Sequence, residues 1–360
     1  MSPTFIPGKA LSRRLYFDAV RPLLSRDFAA VPHAAALLGP GSEVLGFDTE
    51  RSTDHDWGPR LQLFLSAGDL AEHGDAIRDM LAEHLPATVA GYPTSLVAVG
   101  DHGTRHMRRT EGRVEHAVVV AELGDWLRGQ LGFNPLLGVT RLDWLGTPTQ
   151  HLAEVTAGAV HHDGLGTLSR VRRDLAWYPD DVWRYVLACQ WQRIGQEEAF
   201  VGRCGEVGDE LGSAIVAARI ARDLMRLCLL LHKVYPPYSK WLGTAFARLP
   251  GVPSLRSALT DAVTADDWRA REHHLVTAYE TVARLHNETG LTAPVDPRVR
   301  PFHDRPFRVL QTERFVRALL PDPVPLTGAV DQFADSTDVL AHGTRGRLLT
   351  AALGDSTRTP

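Results

Sequence analysis

Leu11, Leu15, Phe17, Val20 and Leu23–Leu24 recur at near-helical intervals and predict a helix over 10–28, interrupted by Pro22. The apolar run at 34–38 ends at Gly39-Pro40-Gly41, a turn signal, and 42–47 then reads as a strand. After a polar loop at 48–53, Leu61, Leu63 and Leu65 alternate through 60–65 and predict a second strand. Leu70, Ile77, Leu81 and Leu85 share one face of a helix expected over 69–85. Past a Gly/Pro-rich stretch, Ala117–Val120 is the most β-like run of the chain, inside a strand expected over 114–123. Strand, strand, helix, strand describes a small mixed sheet covered by helices.

From Trp126 onward the strand signals fade. The segments 180–203, 209–234, 265–287 and 312–319 all carry helical periodicity, and Pro236-Pro237 ends the second of them. The pattern therefore predicts an α+β chain. A sheet domain over 1–150 is followed by a linker at 151–164, an all-helical domain over 165–350 and a frayed tail at 351–360.

Composition narrows the function. The 360 residues are 44% hydrophobic and 23% charged, as in a soluble globular protein, and cores stop growing at about 250–300 residues, which suits two domains. A net charge of −4 argues against a dedicated nucleic-acid binder or anionic-membrane binder. Cys189, Cys204 and Cys228 are too few and too scattered for a disulfide framework or a Cys-rich zinc site. The N-terminus has no apolar signal core and no apolar run suits a membrane span, so a cytoplasmic protein is expected. Only Lys9, Lys233 and Lys240 are lysines among the 39 basic residues. Where arginine is the default cation, a lysine hints at a site that needs a compact ammonium.

The segment from Gly41 to Asp56 carries the chemistry. Gly41-Ser42 opens it, and eleven residues separate Ser42 from Asp54-His55-Asp56. On a strand, residues two apart share a face, so Asp54 and Asp56 are expected to present both carboxylates to one side. Carboxylates that close repel unless a cation sits between them, and Mg²⁺ with a polyphosphate is the usual answer. Gly41 would let backbone N–H groups approach a phosphate, and the Ser42 hydroxyl would add a donor. The plainer alternative is a Gly-Ser turn and a solvated strand start.

Gly41-Ser42 with Asp54-x-Asp56, together with Gly46 and Ser52, resembles the nucleotidyltransferase superfamily of the DNA polymerase β type. Within it, the form resembles the small-molecule adenylyltransferases that modify aminoglycosides and the minimal antitoxin-type enzymes. Ser52–Arg60 and Tyr235–Gly243 further resemble an actinobacterial family of unknown function, a likeness that covers most of the chain and brings no established reaction. The resemblance implies a nucleotidyltransferase-like sheet domain in front of the helical one. Gly41 and Ser42 would hold the β- and γ-phosphates, and Asp54 and Asp56 would bind Mg²⁺ beside the α-phosphate. It also implies a third carboxylate that helps bind the metal and deprotonates the attacking hydroxyl. Glu115 is best placed for it, with Glu122 and Asp143 as further candidates and Glu197-Glu198 as the version in which the helical domain supplies the base. Lys240, flanked by Tyr238 and Trp241, would grip the triphosphate, and Arg60 would contact phosphate or act as counter-ion to the Asp pair.

Other clusters read as ordinary surface. His161-His162-Asp163 is expected to be a solvated turn, His273-His274 a wet helix face, and Arg170–Arg173 a short basic patch. The function expected from the resemblance is Mg²⁺-dependent transfer of a nucleoside monophosphate, AMP from ATP, to a hydroxyl of a small molecule. The alternatives are AMP transfer to a Tyr, Ser or Thr of a partner protein, or a nucleotide-binding module with no positioned base.

Overall fold

The computed structural model describes residues 3–99 and 104–355. The chain divides into two compact units, Met1–Val139 with His151–Ala176, and Thr140–Gln150 with Trp177–Pro360. The fold is α+β, with a mixed sheet in the first unit and a mostly helical second unit.

The first unit opens with α1 (Gly8–Arg14), a π-helical turn (Leu15–Val20) and α2 (Arg21–Asp27). The expected single helix thus changes register midway. Pro22 has no N–H to give the carbonyl four residues back, and the Arg21 N–H bonds instead to the Tyr16 carbonyl, five residues back. β1 (Ala34–Leu37) follows, then α3 (Ser42–Leu45), a 3₁₀ turn (Glu50–Asp54) and β2 (Arg60–Leu65). α4 (Ala67–His84) starts at Ser66, whose hydroxyl accepts the Asp69 N–H at 3.1 Å, and it ends before Pro86. Two short pairs, β3 (Thr88–Val89) with β4 (Tyr92–Pro93) and β5 (Ser95–Val99) with β6 (Thr104–Arg108), precede β7 (Ala117–Glu122) and α5 (Leu123–Leu131). α6 (Arg141–Gly146) belongs to the second unit. α7 (Thr149–Thr156), β8 (Ala159–Asp163) and α8 (Thr167–Asp174) then lead back into the first.

The sheet order is β7-β2-β1-β8. β1 runs antiparallel to β2 (Ala34↔Phe64) and to β8 (Ala35↔His162), whereas β2 and β7 are parallel (Arg60↔Ala117 to Leu65↔Glu122). β1 and β2 are buried along their whole length because helices cover both sheet faces. Leu61, Leu63 and Leu65 pack with Leu11, Leu15, Val20, Ile77 and Leu81, and each such side chain contributes about 1.5–3 kcal/mol. On the other face Phe64 meets Trp126 edge-on, with ring centroids 5.4 Å apart.

Four expectations are corrected. Residues 42–47 form no strand: Gly41 at φ 145° admits the chain to a single helical turn, and Gly46 at φ 73° closes it. The stretch 151–164 is no linker, since it holds most of α7 and all of β8, the fourth strand of the sheet. His161-His162-Asp163 is therefore strand rather than turn. The tail at 351–360 is helical as far as Asp355, in a helix spanning Gly343–Asp355, and 356–360 lie outside the described residues.

In the second unit, α9 (Asp180–Glu197), α10 (Phe200–Glu206), α11 (Glu210–Leu231), α12 (Ser239–Ala247), α13 (Pro253–Thr264), α14 (Trp268–Glu288) and α15 (Glu313–Leu319) build the core. Trp191 of α9 stacks on Phe315 of α15 at 4.4 Å, and its indole N–H donates to His286 Nδ1 of α14 at 3.2 Å. The unit is not purely helical, because Arg300–Pro301 pairs antiparallel with Arg308–Val309.

Candidate functional site

β1 and β2 are antiparallel neighbours and β7 is parallel to β2. The end of β1, the start of β2 and the start of β7 therefore lie at one end of the sheet. Topology alone brings the Gly41-Ser42 turn, the loop holding Asp54 and Asp56, and the approach to β7 at Glu115 to that end.

The turn is locked by a buried ion pair that sequence reading missed. Arg60, the first residue of β2, donates from Nε to Glu43 Oε1 at 2.6 Å and from Nη2 to the Pro40 carbonyl at 2.5 Å. Both side chains are buried, so each charge depends on the other for compensation. A Cβ on Gly41 would stand 2.4 Å from Arg60 Nη2 and 2.6 Å from Glu43 Oε2, so glycine is required on steric grounds as well as by φ. Gln62 adds a second clamp, accepting the Leu38 N–H at 2.7 Å and donating to its carbonyl at 3.1 Å. Arg60 is thus the counter-ion of Glu43, not of the Asp pair. Nothing in the local sequence marks Glu43 and Arg60 as partners, because β1 and β2 must pair before they meet.

What the turn leaves exposed is a pair of donors. The N–H groups of Ser42 and Glu43, in the first turn of α3, reach no acceptor among the described residues. Ser42 is half-buried beside them.

Asp54 and Asp56 do not sit on a strand. Asp54 ends the 3₁₀ turn, which a capping box between Thr49 and Ser52 starts, and Asp56 has φ 47°. Gly58 at φ 155° and Pro59 delay β2 until Arg60. The alternation that would align the two carboxylates is therefore absent. Asp54 Oδ1 accepts the His55 N–H at 3.0 Å and lies 3.0 Å from His55 Nδ1. Desolvation pushes the Asp54 carboxyl up, but the His55 ring and its hydrogen bonds outweigh it and hold the group below its usual range. Asp56 is tied to β6: its N–H donates to the Arg105 carbonyl at 2.8 Å and its Oδ1 accepts the Arg105 N–H at 3.0 Å. Both side chains remain about half exposed, at 51%. A second missed residue, Asp48, accepts the Gly8 N–H at 2.7 Å and the Trp57 indole N–H at 3.2 Å, pinning α1 to this end.

Among the described residues no group of three His, Cys, Asp or Glu side chains is arranged to hold a metal ion. Two exposed carboxylates are nevertheless a donor set that suits Mg²⁺, which takes hard oxygen ligands, keeps several waters and commonly relies on one or two carboxylates plus substrate phosphate.

The remaining candidates separate. Glu115 is exposed two residues before β7, and its backbone bridges to β5, where the Leu96 N–H donates to its carbonyl at 2.9 Å. Glu122 caps α5, accepting the Asp125 N–H at 2.7 Å. Asp143 accepts the Thr140 N–H at 2.8 Å at the start of α6 and pairs with Arg347. Glu197 pairs with Arg219 at 2.6 Å. Glu198 is buried and accepts N–H groups from Leu310 (2.7 Å), Gln311 (3.1 Å) and Thr312 (3.4 Å). Burial pushes its pKa up to about 7 against those hydrogen bonds. Its carboxylate anchors the loop before α15, which corrects its expected place as an accessible base. Tyr238 and Lys240 are exposed at the start of α12, the Tyr238 N–H donating to Gln150 Oε1 at 3.1 Å and Lys240 Nζ lying 5.1 Å from the Trp241 ring centroid. Tyr235, by contrast, is core: it packs on Trp177 at 4.7 Å and on Tyr178 at 5.2 Å.

A family described as a domain of unknown function (DUF4037) matches residues 144–242, a stretch that includes this aromatic cluster and Lys240 but neither Gly41-Ser42 nor the Asp pair. No curated protein matches the chain. Among solved structures, it is similar to a nucleotidyltransferase-like protein from Exiguobacterium sibiricum 255-15, at 13% identity and a TM-score of 0.32, over 80% of this chain and 82% of that one.

Proposed function

We propose that the first unit binds a nucleoside triphosphate and transfers its nucleoside monophosphate, AMP from ATP, to a hydroxyl of a small molecule. The observation that carries this reading is the glycine-dependent turn at Gly41. It leaves the Ser42 and Glu43 N–H groups without acceptors among the described residues, at the sheet end shared with Asp54 and Asp56. Those donors, with the Ser42 hydroxyl, suit phosphate oxygens. Asp54 and Asp56 would hold a divalent cation, and Mg²⁺ bound there would offset charge on the phosphates. The acceptor oxygen attacks the α-phosphorus, the bond to the bridging oxygen breaks, pyrophosphate leaves, and the proton passes to a carboxylate for which Glu115 is the candidate.

Thermal melting with each nucleoside triphosphate, with and without Mg²⁺, tests the reading. At 100 times its Kd a ligand adds about 2.7 kcal/mol of stability. The wild type is expected to gain such a shift only with Mg²⁺, and Asp54→Asn/Asp56→Asn to lose it. No shift with any nucleotide would remove the proposal.

A second reading, binding without transfer, is favoured by the missing three-residue metal cluster among the described residues. Stabilisation by nucleotide with no pyrophosphate release across a panel of hydroxyl acceptors would select it.

A further inference from the structure

A cavity of about 410 Å³ lies in the first unit between the N-terminal helices and the edge strand β8. Lys9, Arg13 and Phe17 line one side, and Ala159 and His161 the other. Lys9 and Arg13 are one helical turn apart on α1, so both reach the same face. Phe17 follows at the next turn, inside the π-helical segment that Pro22 imposes, and its ring is flanked by Arg13 at 4.8 Å and Arg21 at 5.8 Å.

The charge of this wall is one-sided. Among the described residues no carboxylate lines the cavity, and none lies in ion-pair range of Arg13. His161 contributes a neutral ring to the wall: its Nε2 lies 2.9 Å from Ser12 Oγ, and burial, reinforced by Arg13, lowers its pKa to about 4. Lys9 is moreover one of three lysines in a chain that otherwise uses arginine. Two cations of different shape over a partly apolar hollow match a dianion joined to an apolar group: guanidinium offers a planar fork, ammonium a point charge. The volume falls in the range of small-ligand sites, about 300–1,000 Å³.

We propose that this cavity binds a small organic phosphate monoester, with the phosphate between Lys9 and Arg13 and the apolar part against Phe17 and Ala159. The site is independent of the nucleotide reading, since no residue lining it belongs to the Gly41-Ser42 turn or the Asp54–Asp56 loop.

Pyridoxal 5′-phosphate tests it on the unmodified protein. It is an aromatic phosphate monoester whose aldehyde condenses with a lysine amine, losing water to form an imine that borohydride reduces to a stable secondary amine. With only Lys9, Lys233 and Lys240 available, peptide mapping identifies the target. Labelling is expected at Lys9, with protection by phenyl phosphate at a concentration about tenfold below that needed for inorganic phosphate or phenol. Labelling spread over Lys233 and Lys240, or no advantage of phenyl phosphate over either fragment, overturns the proposal. Arg13→Gln changes an exposed side chain and is expected to weaken phenyl phosphate about tenfold in calorimetry with an unchanged melting temperature. Unchanged affinity overturns it. Asp54→Asn/Asp56→Asn is expected to leave phenyl phosphate binding intact, and its loss there would merge the cavity with the nucleotide site and overturn the proposal.

Discussion

At the scale of single residues, the decisive groups are charges with little access to water. Arg60 is buried and, among the described residues, its one carboxylate partner is Glu43, so Glu43→Ala leaves a guanidinium without that counter-charge. The expected cost is about 3–5 kcal/mol, measured by denaturant unfolding, and a loss below about 1 kcal/mol would show that Arg60 relaxes to solvent. Gly41→Ala should also destabilise, because the added methyl meets Arg60 and Glu43 at a backbone angle that L-residues avoid. Glu198 acts through pH. Its folded pKa is raised from 4.5 to about 7 by burial, so the folded chain holds its proton more tightly than the unfolded chain does. That contribution is complete below pH 4.5 and is lost as pH rises through about 7. Glu198→Gln, which mimics the protonated side chain, is expected to flatten the fall in melting temperature on this limb, and an unaltered profile would assign the fall to another group.

At the scale of elements, helix boundaries follow local chemistry while helix contacts do not. α14 begins at Asp267, whose Oδ1 accepts the Arg269 and Ala270 N–H groups at 2.9 and 3.0 Å. Asp267→Ala is expected to cost about 1 kcal/mol in thermal unfolding followed by circular dichroism. Gly205→Ala, one residue before α10 ends, should cost more. Its Cβ would fall 2.0 Å from Trp268 Cγ, and the α10–α14 contact would have to open. Equal effects would mean that the capping bond, not the close approach, holds α14 in place. The π-helical turn teaches the same lesson from the other side. Pro22 is plain in the sequence as a disturbance, yet that it widens one turn rather than ending the helix depends on Tyr16 and Val20 being held in the core.

At the scale of the whole molecule, histidines set the acid limit. His161 in the first unit and His286 in the second are both lowered by burial to about 4, so the unfolded chain binds their protons first. Their contribution is complete above pH 6.5, the unfolded value, and is lost as pH falls through about 4. His33 and His116 are lowered by burial in the same direction, so the histidines together outweigh Glu198, and melting temperature is expected to rise with pH up to 6.5 and to decline modestly beyond it. A profile that is flat below pH 6.5 would contradict the burial of these rings. What the sequence by itself determined is the α+β class, β2, α4, most of β7, the helical second half and the motif residues, because hydrophobic period and turn residues are local properties. Tertiary structure decided the rest. β8 was hidden in an apparent linker because an edge strand of mixed polarity shows no alternation until β1 lies beside it. The Glu43–Arg60 lock, the anchoring of Glu198 by the loop before α15 and the cavity between Lys9, Arg13 and β8 all join residues far apart in the chain. Asp54 and Asp56 lost their shared strand face because Gly58 and Pro59 start β2 four residues after Asp56, a choice between turn and strand that the packing of Trp57 in the core settles.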